Sequence, residues 1–378
     1  MTHGSNVPAP NSSRQTPHLT RPTALLRLSI AIAALFLGTC ILRGQSCTPT
    51  PSPPPEQCPP SINECMGFGS RDDVDPLDPT PDPPLEFVPD AFQPPDGSKL
   101  SWQIYIPTGT GPFPTVIIFH GGLFSSGSLK EGGVQRVCGD LQRAGFLAVA
   151  VNYRLAPCGR IAGQDPNYQD PLSGRPPQQT DDAKSLIRAA RSLTTLCNGN
   201  VGVLGGSSGG SLAVFTALDK TPSPPSTYPH WCQDGHDDRP LCAVGLSAGC
   251  DLSDRVPPGY EGLESFIYTV QNYTNSCVLS EQKSVSPVAV LKSESEQTFK
   301  PLYLVNSEMD SMPWHQIEDM RCALVDKSIN AALYTIRTIA GKSDHSFDLW
   351  LDQVNLPLRT KVRDEVLAFL EDHVKNPP

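Results

Sequence analysis

Two adjacent serines, Ser207 and Ser208, stand between two pairs of glycines in VGVLGGSSGGSL (Val201–Leu212), so the pattern G-x-S-x-G fits twice. A serine on a sharp strand-to-helix turn is an accessible nucleophile when small residues stand two before and two after it. Strand and helix pack closely there, and the backbone is strained. The helix that follows turns its free N–H groups toward a developing negative charge. Gly205 and Gly209 meet this spacing for Ser207, and Gly206 and Gly210 meet it for Ser208. A phosphate-cradling loop is the competing use of such glycines. Its Lys-Ser/Thr ending is missing, the first lysine afterwards is Lys220, and G-x-G-x-x-G is absent as well.

Acyl transfer from a serine needs a base, a group that orients the base, and donors for an oxyanion. Among eight histidines, His3 and His18 stand near the start, His230 and His236 lie in a Pro/Asp-rich stretch, and His373 is near the tail. His345, in GKSDHSFDLW, follows a late apolar run, where a loop can carry it over a nucleophile. His315 reads as a rim residue at a helix start. Asp310 lies four residues beyond the apolar run LYLVN and is the candidate orienter, with Glu308 its close competitor; Asp344 is too near His345 in sequence for that task. In IIFHGGLF, Gly121 and Gly122 follow another apolar run and allow backbone N–H groups to approach an ester carbonyl without side-chain obstruction. The bland alternative is a tight turn. His120 is read as ordering that loop by hydrogen bonds.

The elements that must position these groups alternate along the chain. TVIIF (Thr115–Phe119), FLAVAV (Phe146–Val151), VGVL (Val201–Leu204), AVGLS (Ala243–Ser247), LYLVN (Leu302–Asn306) and AALYTI (Ala331–Ile336) are short apolar runs of the kind that form parallel strands buried on both faces. Leu100, Trp102, Ile104 and Ile106 alternate as in a half-buried strand near an edge. Stripes at i, i+3, i+4 and i+7 predict helices through Val134, Val137, Cys138 and Leu141 and through Ala183, Leu186, Ile187 and Ala190 behind a cap at Asp181, and a similar helical spacing predicts another through Val362, Val366, Leu367 and Leu370. Strands alternating with helices imply a parallel sheet covered on both faces, with chemistry collected beyond the carboxyl ends of its strands.

These residues resemble the α/β-hydrolase superfamily, in the esterase and lipase branch similar to hormone-sensitive lipase and acetyl-xylan esterases. The likeness is carried by FHGG (Phe119–Gly122), VNYRLAP (Val151–Pro157), DDAKSLIRAAR (Asp181–Arg191), VGVLGGSSGGSLA (Val201–Ala213), EMD (Glu308–Asp310) and DHSF (Asp344–Phe347). The order serine, aspartate, histidine is the one expected of that fold. The resemblance implies an α/β-hydrolase fold, with a mostly parallel central sheet and helices on both faces. It also implies a triad of Ser207, Asp310 and His345, and an oxyanion hole from the N–H groups of Gly121, Gly122 and Ser208. The family-like pattern G-x-S-x-G-G-x-L-A fits only with Ser207 as its serine, which leaves Ser208 as a backbone donor. No cofactor or metal is implied, and the substrate is a small-molecule or carbohydrate-linked ester. Two departures bear on the pocket: Leu123 stands where many relatives have a third glycine, and Thr221–Pro240 looks like an insertion. An amide or peptide hydrolase on the same triad, and a binding protein on an inactive scaffold, are the alternative readings.

The flanking sequence divides the chain of 378 residues into three parts. Residues 1–46 have a basic start and an apolar run of about 15 residues, shorter than the roughly 20 that cross a bilayer. They are expected to be a signal peptide, with a retained membrane anchor as the rival. Residues 47–95 are rich in Pro and Asp and poor in aliphatics, as in an extended tether. Residues 96–378 are the catalytic domain. The expected location is secreted, periplasmic or cell-surface, with a membrane tether through the N-terminus left open. Twelve cysteines then suggest disulfides, and Cys232 with Cys242 and Cys250 with Cys277 would close short loops. Asn272-Tyr273-Thr274 is a glycosylation sequon. A net charge of −10 without a basic stripe argues against nucleic acid as a partner.

Overall fold

The computed structural model describes residues 102–156, 174–222, 236–255, 263–292, 295, 297–351 and 356–377. Residues 1–46 and 47–95, where a signal and a tether are expected, and residues 223–235 of the expected insertion lie outside the described residues. In chain order the elements are β1 (Trp102–Tyr105), β2 (Phe113–Phe119), α1 (Gly132–Arg143), β3 (Leu147–Val151), α2 (Gln178–Ser192), β4 (Cys197–Gly206), α3 (Ser208–Leu218) and β5 (Ala243–Leu246). Then follow α4 (Leu263–Thr274), α5 (Leu279–Ser284), α6 (Pro287–Leu291), β6 (Leu302–Ser307), α7 (His315–Asp326), β7 (Tyr334–Ile339), α8 (Asp348–Leu351) and α9 (Leu356–Leu370).

The strands form one sheet in the order β1-β3-β2-β4-β5-β6-β7. Only β1 runs antiparallel, against β3; every other neighbouring pair is parallel. Because successive side chains point to opposite faces, each central strand feeds two cores. Ile117, Phe119, Val149, Val203 and Leu304 meet α2, α3 and α7 on one face. Val116, Ile118, Ala148, Leu204 and Val305 meet α1 and α9 on the other. The helical stripes are those expected, with Val134, Val137, Cys138 and Leu141 in one core and Ala183, Leu186, Ile187 and Ala190 in the other.

The pairing register explains how residues far apart in sequence reach one place. Val151, Phe119, Gly205, Gly245, Leu304 and Ile336 stand in a single row across the sheet. The segments that leave the strands just beyond this row therefore emerge along one edge.

Four expectations are corrected. The last strand is Tyr334–Ile339 rather than Ala331–Ile336, because Asn330 accepts from Ala332 N at 3.0 Å and winds Ala331–Leu333 into a 3-10 turn. This strand is also only partly buried, being at the sheet edge. Helix α2 begins at Gln178 after Pro177, so Asp181 lies inside its first turn rather than at the cap. Cys242 and Cys250 are buried free thiols, so neither proposed pairing forms; Cys277 and Cys322 are the described cysteines that are not free thiols. Finally, the sequon Asn272 is buried within α4, where a glycan has no access in the folded chain.

Candidate active site

Strand β4 runs into the two serines, and their surroundings differ. Ser207 takes φ 55° and ψ −124°, a strained conformation for a residue with a side chain, and α3 starts at Ser208. A Cβ on Gly205 would fall 2.1 Å from Gly209 O, and one on Gly209 would fall 2.3 Å from the carbonyl oxygens of Phe119 and His120. Backbone meets backbone at both positions, so only glycine fits, and this is the pair that brackets Ser207. Gly206, which brackets Ser208, is limited instead by the Ser346 hydroxyl and the Phe347 ring. The Ser208 hydroxyl is itself buried.

The loop after β2 lies against this turn. A Cβ on Gly121 would stand 3.2 Å from Gly206 O and 3.3 Å from Ser207 Cβ. Gly122 has φ 121° and its carbonyl accepts from Ser125 N at 3.0 Å and Ser126 N at 2.8 Å, which closes the turn. No backbone N–H of Gly121, Gly122 or Ser208 donates to another described backbone carbonyl. Leu123, in place of a third glycine, adopts φ 57° and is 49% exposed at the pocket rim.

His120 is buried and stacks on Tyr153 with ring centroids 4.4 Å apart. Its Nδ1 is 2.6 Å from Gly121 O, and a carbonyl only accepts, so Nδ1 carries the proton. Burial lowers the pKa of this imidazole and keeps it neutral. Tyr153 in turn donates to His120 O at 2.7 Å. Behind the loop, Arg154 is held by Asp182 of α2, with Nη2 to Oδ1 at 2.7 Å and the Arg154 N–H to Oδ2 at 2.9 Å. Ala156 N and Gln179 Nε2 both donate to Phe124 O, at 2.9 and 2.7 Å. The motifs VNYRLAP and DDAKSLIRAAR thus meet as a buttress for the glycine loop.

Asp310 and His345 are brought together, with Nδ1 to Oδ1 at 2.5 Å. The Asp310 carboxylate is fully buried and also receives Met312 N at 2.9 Å and Ser247 Oγ at 2.5 Å. Their two loops are tied at the backbone, with Glu308 N to Ile339 O at 3.0 Å and Met309 N to Lys342 O at 2.8 Å. Beyond His345, Trp350 anchors the chain to α1 through Nε1 to Asp140 Oδ2 at 2.7 Å. The competitor Glu308 accepts from Gly341 N at 2.7 Å and so braces the loop. His315 opens α7, stacked on Trp314.

Ser247 is the site residue that sequence reasoning missed. Its hydroxyl donates to Asp310 and accepts from Ser346 N at 2.8 Å, joining the carboxylate to the residue after His345. A signal for it exists: Ser247 stands two residues beyond Gly245, as Ser207 stands two beyond Gly205, and the two glycines are paired across β4 and β5.

Ser207, Ser208 and His345 line one pocket, walled by Phe124, Phe266 and Met312 with Leu123 at its rim. Ser207 and His345 face this shared space without a hydrogen bond between them among the described residues, a looseness common before substrate binds.

Residues 116–317 match the model of a family described by the alpha/beta hydrolase fold. Solved structures repeat the architecture. An acetyl ester-xyloside bifunctional hydrolase of Caldicellulosiruptor lactoaceticus is 19% identical, covering 73% of this chain and 88% of that one, with a TM-score of 0.53. Esterase 2 of Thermogutta terrifontis, phosphonylated by sarin, is 20% identical over 73% of this chain and 91% of that one, with a TM-score of 0.55. Carboxyl esterase 2 of the mycorrhizal fungus Tuber melanosporum is 19% identical over 74% and 84%, with a TM-score of 0.53. No curated protein matches the chain at a significant level. The family match spans the row of strand ends from β2 to β6 together with both serines and Asp310, and on that ground the chain belongs to the alpha/beta hydrolase fold family.

Proposed function

We propose that this protein is a carboxylic-ester hydrolase that works through Ser207, His345 and Asp310 by way of an acyl-serine intermediate. The observation that carries the reading is the Asp310–His345 pair, 2.5 Å apart, in the same pocket as a serine on a strained strand-to-helix turn. Ser207 Oγ attacks the ester carbonyl while His345 Nε2 takes its proton, and Asp310 holds Nδ1–H and stabilises the imidazolium. The carbonyl oxygen becomes an oxyanion that receives the N–H groups of Gly121, Gly122 and Ser208. Collapse of the tetrahedral intermediate breaks the bond to the alcohol, which leaves with the proton from His345. Water, deprotonated by His345, then attacks the acyl-serine and releases the carboxylic acid and the free Ser207.

The similar structures are an acetyl ester-xyloside bifunctional hydrolase and two esterases, one of them phosphonylated by sarin. An organophosphonate is therefore the apt probe. The purified chain should be labelled at the peptide containing Ser207 and should hydrolyse short aryl esters. Labelling elsewhere would move the nucleophile. Intact turnover of anilides at rates matching the esters would favour the amide hydrolase, and a chain neither labelled nor active would be a binding scaffold. For export we propose that residues 1–46 direct secretion, with residues 47–95 as the tether. N-terminal sequencing of the exported protein tests this, and an intact residue 1 would argue for an anchor.

A further inference from the structure

Phe124 separates two spaces. On one side is the pocket of Ser207 and His345, and behind the ring is a second, narrower space bounded by Leu212, Phe215, Leu252, Tyr273, Val285 and Pro287. Phe124 is the one described residue common to both linings. The second space continues the first along α3: Ser208 borders the reaction pocket, and Leu212 and Phe215, one and two turns further on, border the other.

The interior of the second space suits hydrocarbon. The aliphatic hydroxyls on its wall are already engaged, Thr180 Oγ1 with Pro177 O at 2.7 Å and Ser211 Oγ with Gly249 N at 2.8 Å. Water would find few partners there, whereas an acyl chain needs none. The dividing ring is firmly held. It stacks on Tyr273 with centroids 4.0 Å apart and 11° between planes, and packs in a small cluster with Leu252, Phe266 and Met312. Its backbone is at φ 60°, fixed by the two donors to Phe124 O.

We propose that the second space is a latent acyl-chain channel closed by Phe124, so that Phe124 restricts this enzyme to short acyl groups. The proposal rests on the ester-hydrolase reading and names the substrate class of that same site. The test is a series of p-nitrophenyl acetate, butyrate, octanoate and decanoate with the full chain. In the native protein kcat/KM falls at least tenfold between butyrate and octanoate. Phe124→Ala raises the octanoate-to-acetate ratio at least tenfold, and adding Val285→Phe, which fills the channel from its far side, reverses that gain. Phe124→Leu, a milder change, gives a smaller rise in the same direction and serves if Phe124→Ala does not fold. Equal loss at every chain length in Phe124→Ala, a native preference for octanoate, or a ratio indifferent to Val285→Phe would each overturn the gate. Turnover with a flat ratio sinks the gate alone. Absence of both turnover and phosphonate labelling at Ser207 sinks the ester reading and the gate with it.

Discussion

Removing the Ser247 hydroxyl takes a donor from the Asp310 carboxylate and an acceptor from Ser346 N. A hydrogen bond to a charged group contributes roughly 1.5–3 kcal/mol, and tenfold in rate corresponds to about 1.4 kcal/mol. Ser247→Ala should therefore lower kcat about 10- to 100-fold with KM nearly unchanged in steady-state kinetics; a change confined to KM would show that Ser247 acts on binding. The two adjacent serines separate more sharply. Ser207→Ala should cost on the order of 10⁶-fold in kcat and abolish phosphonate labelling. Ser208→Ala should retain activity within about tenfold, because its share is a main-chain N–H; the reverse pattern would shift the nucleophile by one residue. The nucleophile turn was legible because its glycines are demanded by backbone approach, at Gly205 and Gly209. Ser247 was missed, because its one cue, a glycine two residues before it, gains meaning only when the strand pairing sets Gly245 beside Gly205 and the fold brings Ser247 to Asp310.

At the scale of elements, α2 supports the glycine loop through a buried ion pair. Asp182→Asn leaves the Arg154 guanidinium buried without its full counter-charge, and breaking such a pair costs about 3–5 kcal/mol. The expected result is a clearly lower urea midpoint with an unchanged denaturant slope; a midpoint within error of the native value would show that water or a neighbour replaces the carboxylate. Central strands and amphipathic helices were legible because burial on two faces, or on one stripe, leaves a periodic record. The last strand was misplaced by three residues because Ala331–Leu333 is as apolar as a strand, and the capping side chain of Asn330 decides otherwise. The start of α2 was missed for a similar reason: the acidic residue that looked like a cap lies one turn inside, and its neighbour Asp182 is spent on Arg154.

For the whole molecule, acidity and stability are linked through Asp319. Burial, with Asp254 and Asp251 nearby, pushes its carboxyl up to about 8. The folded form thus keeps a proton that the unfolded chain gives up near the ordinary value of 3.8, so stability falls as pH rises from about 4 to about 8 and is level above that. Asp319→Asn should raise Tm by several degrees at pH 9, on the order of 1–3 kcal/mol, and change it little at pH 4. An equal gain at both pH values would mean that packing, not charge, is responsible. The sequence showed the acidity but not this burial, since a carboxylate two turns from a helix end looks like any solvated one. Helix α2 carries a further arrangement with a practical side. Lys184 holds Asp219 at 2.6 Å and also Thr221 O, while Arg188 holds Asp238 at 2.9 Å and Arg191 holds Arg239 O at 2.9 Å. The chain is therefore gripped just before residue 223 and just after residue 235, whatever sequence runs between. In engineering terms the helix is a socket with two clamps. A glycine-serine linker or an affinity tag exchanged for residues 223–235 should leave Tm and acetate ester turnover near native, because the clamped ends follow the last turn of α3 while Ser207 stands before its first.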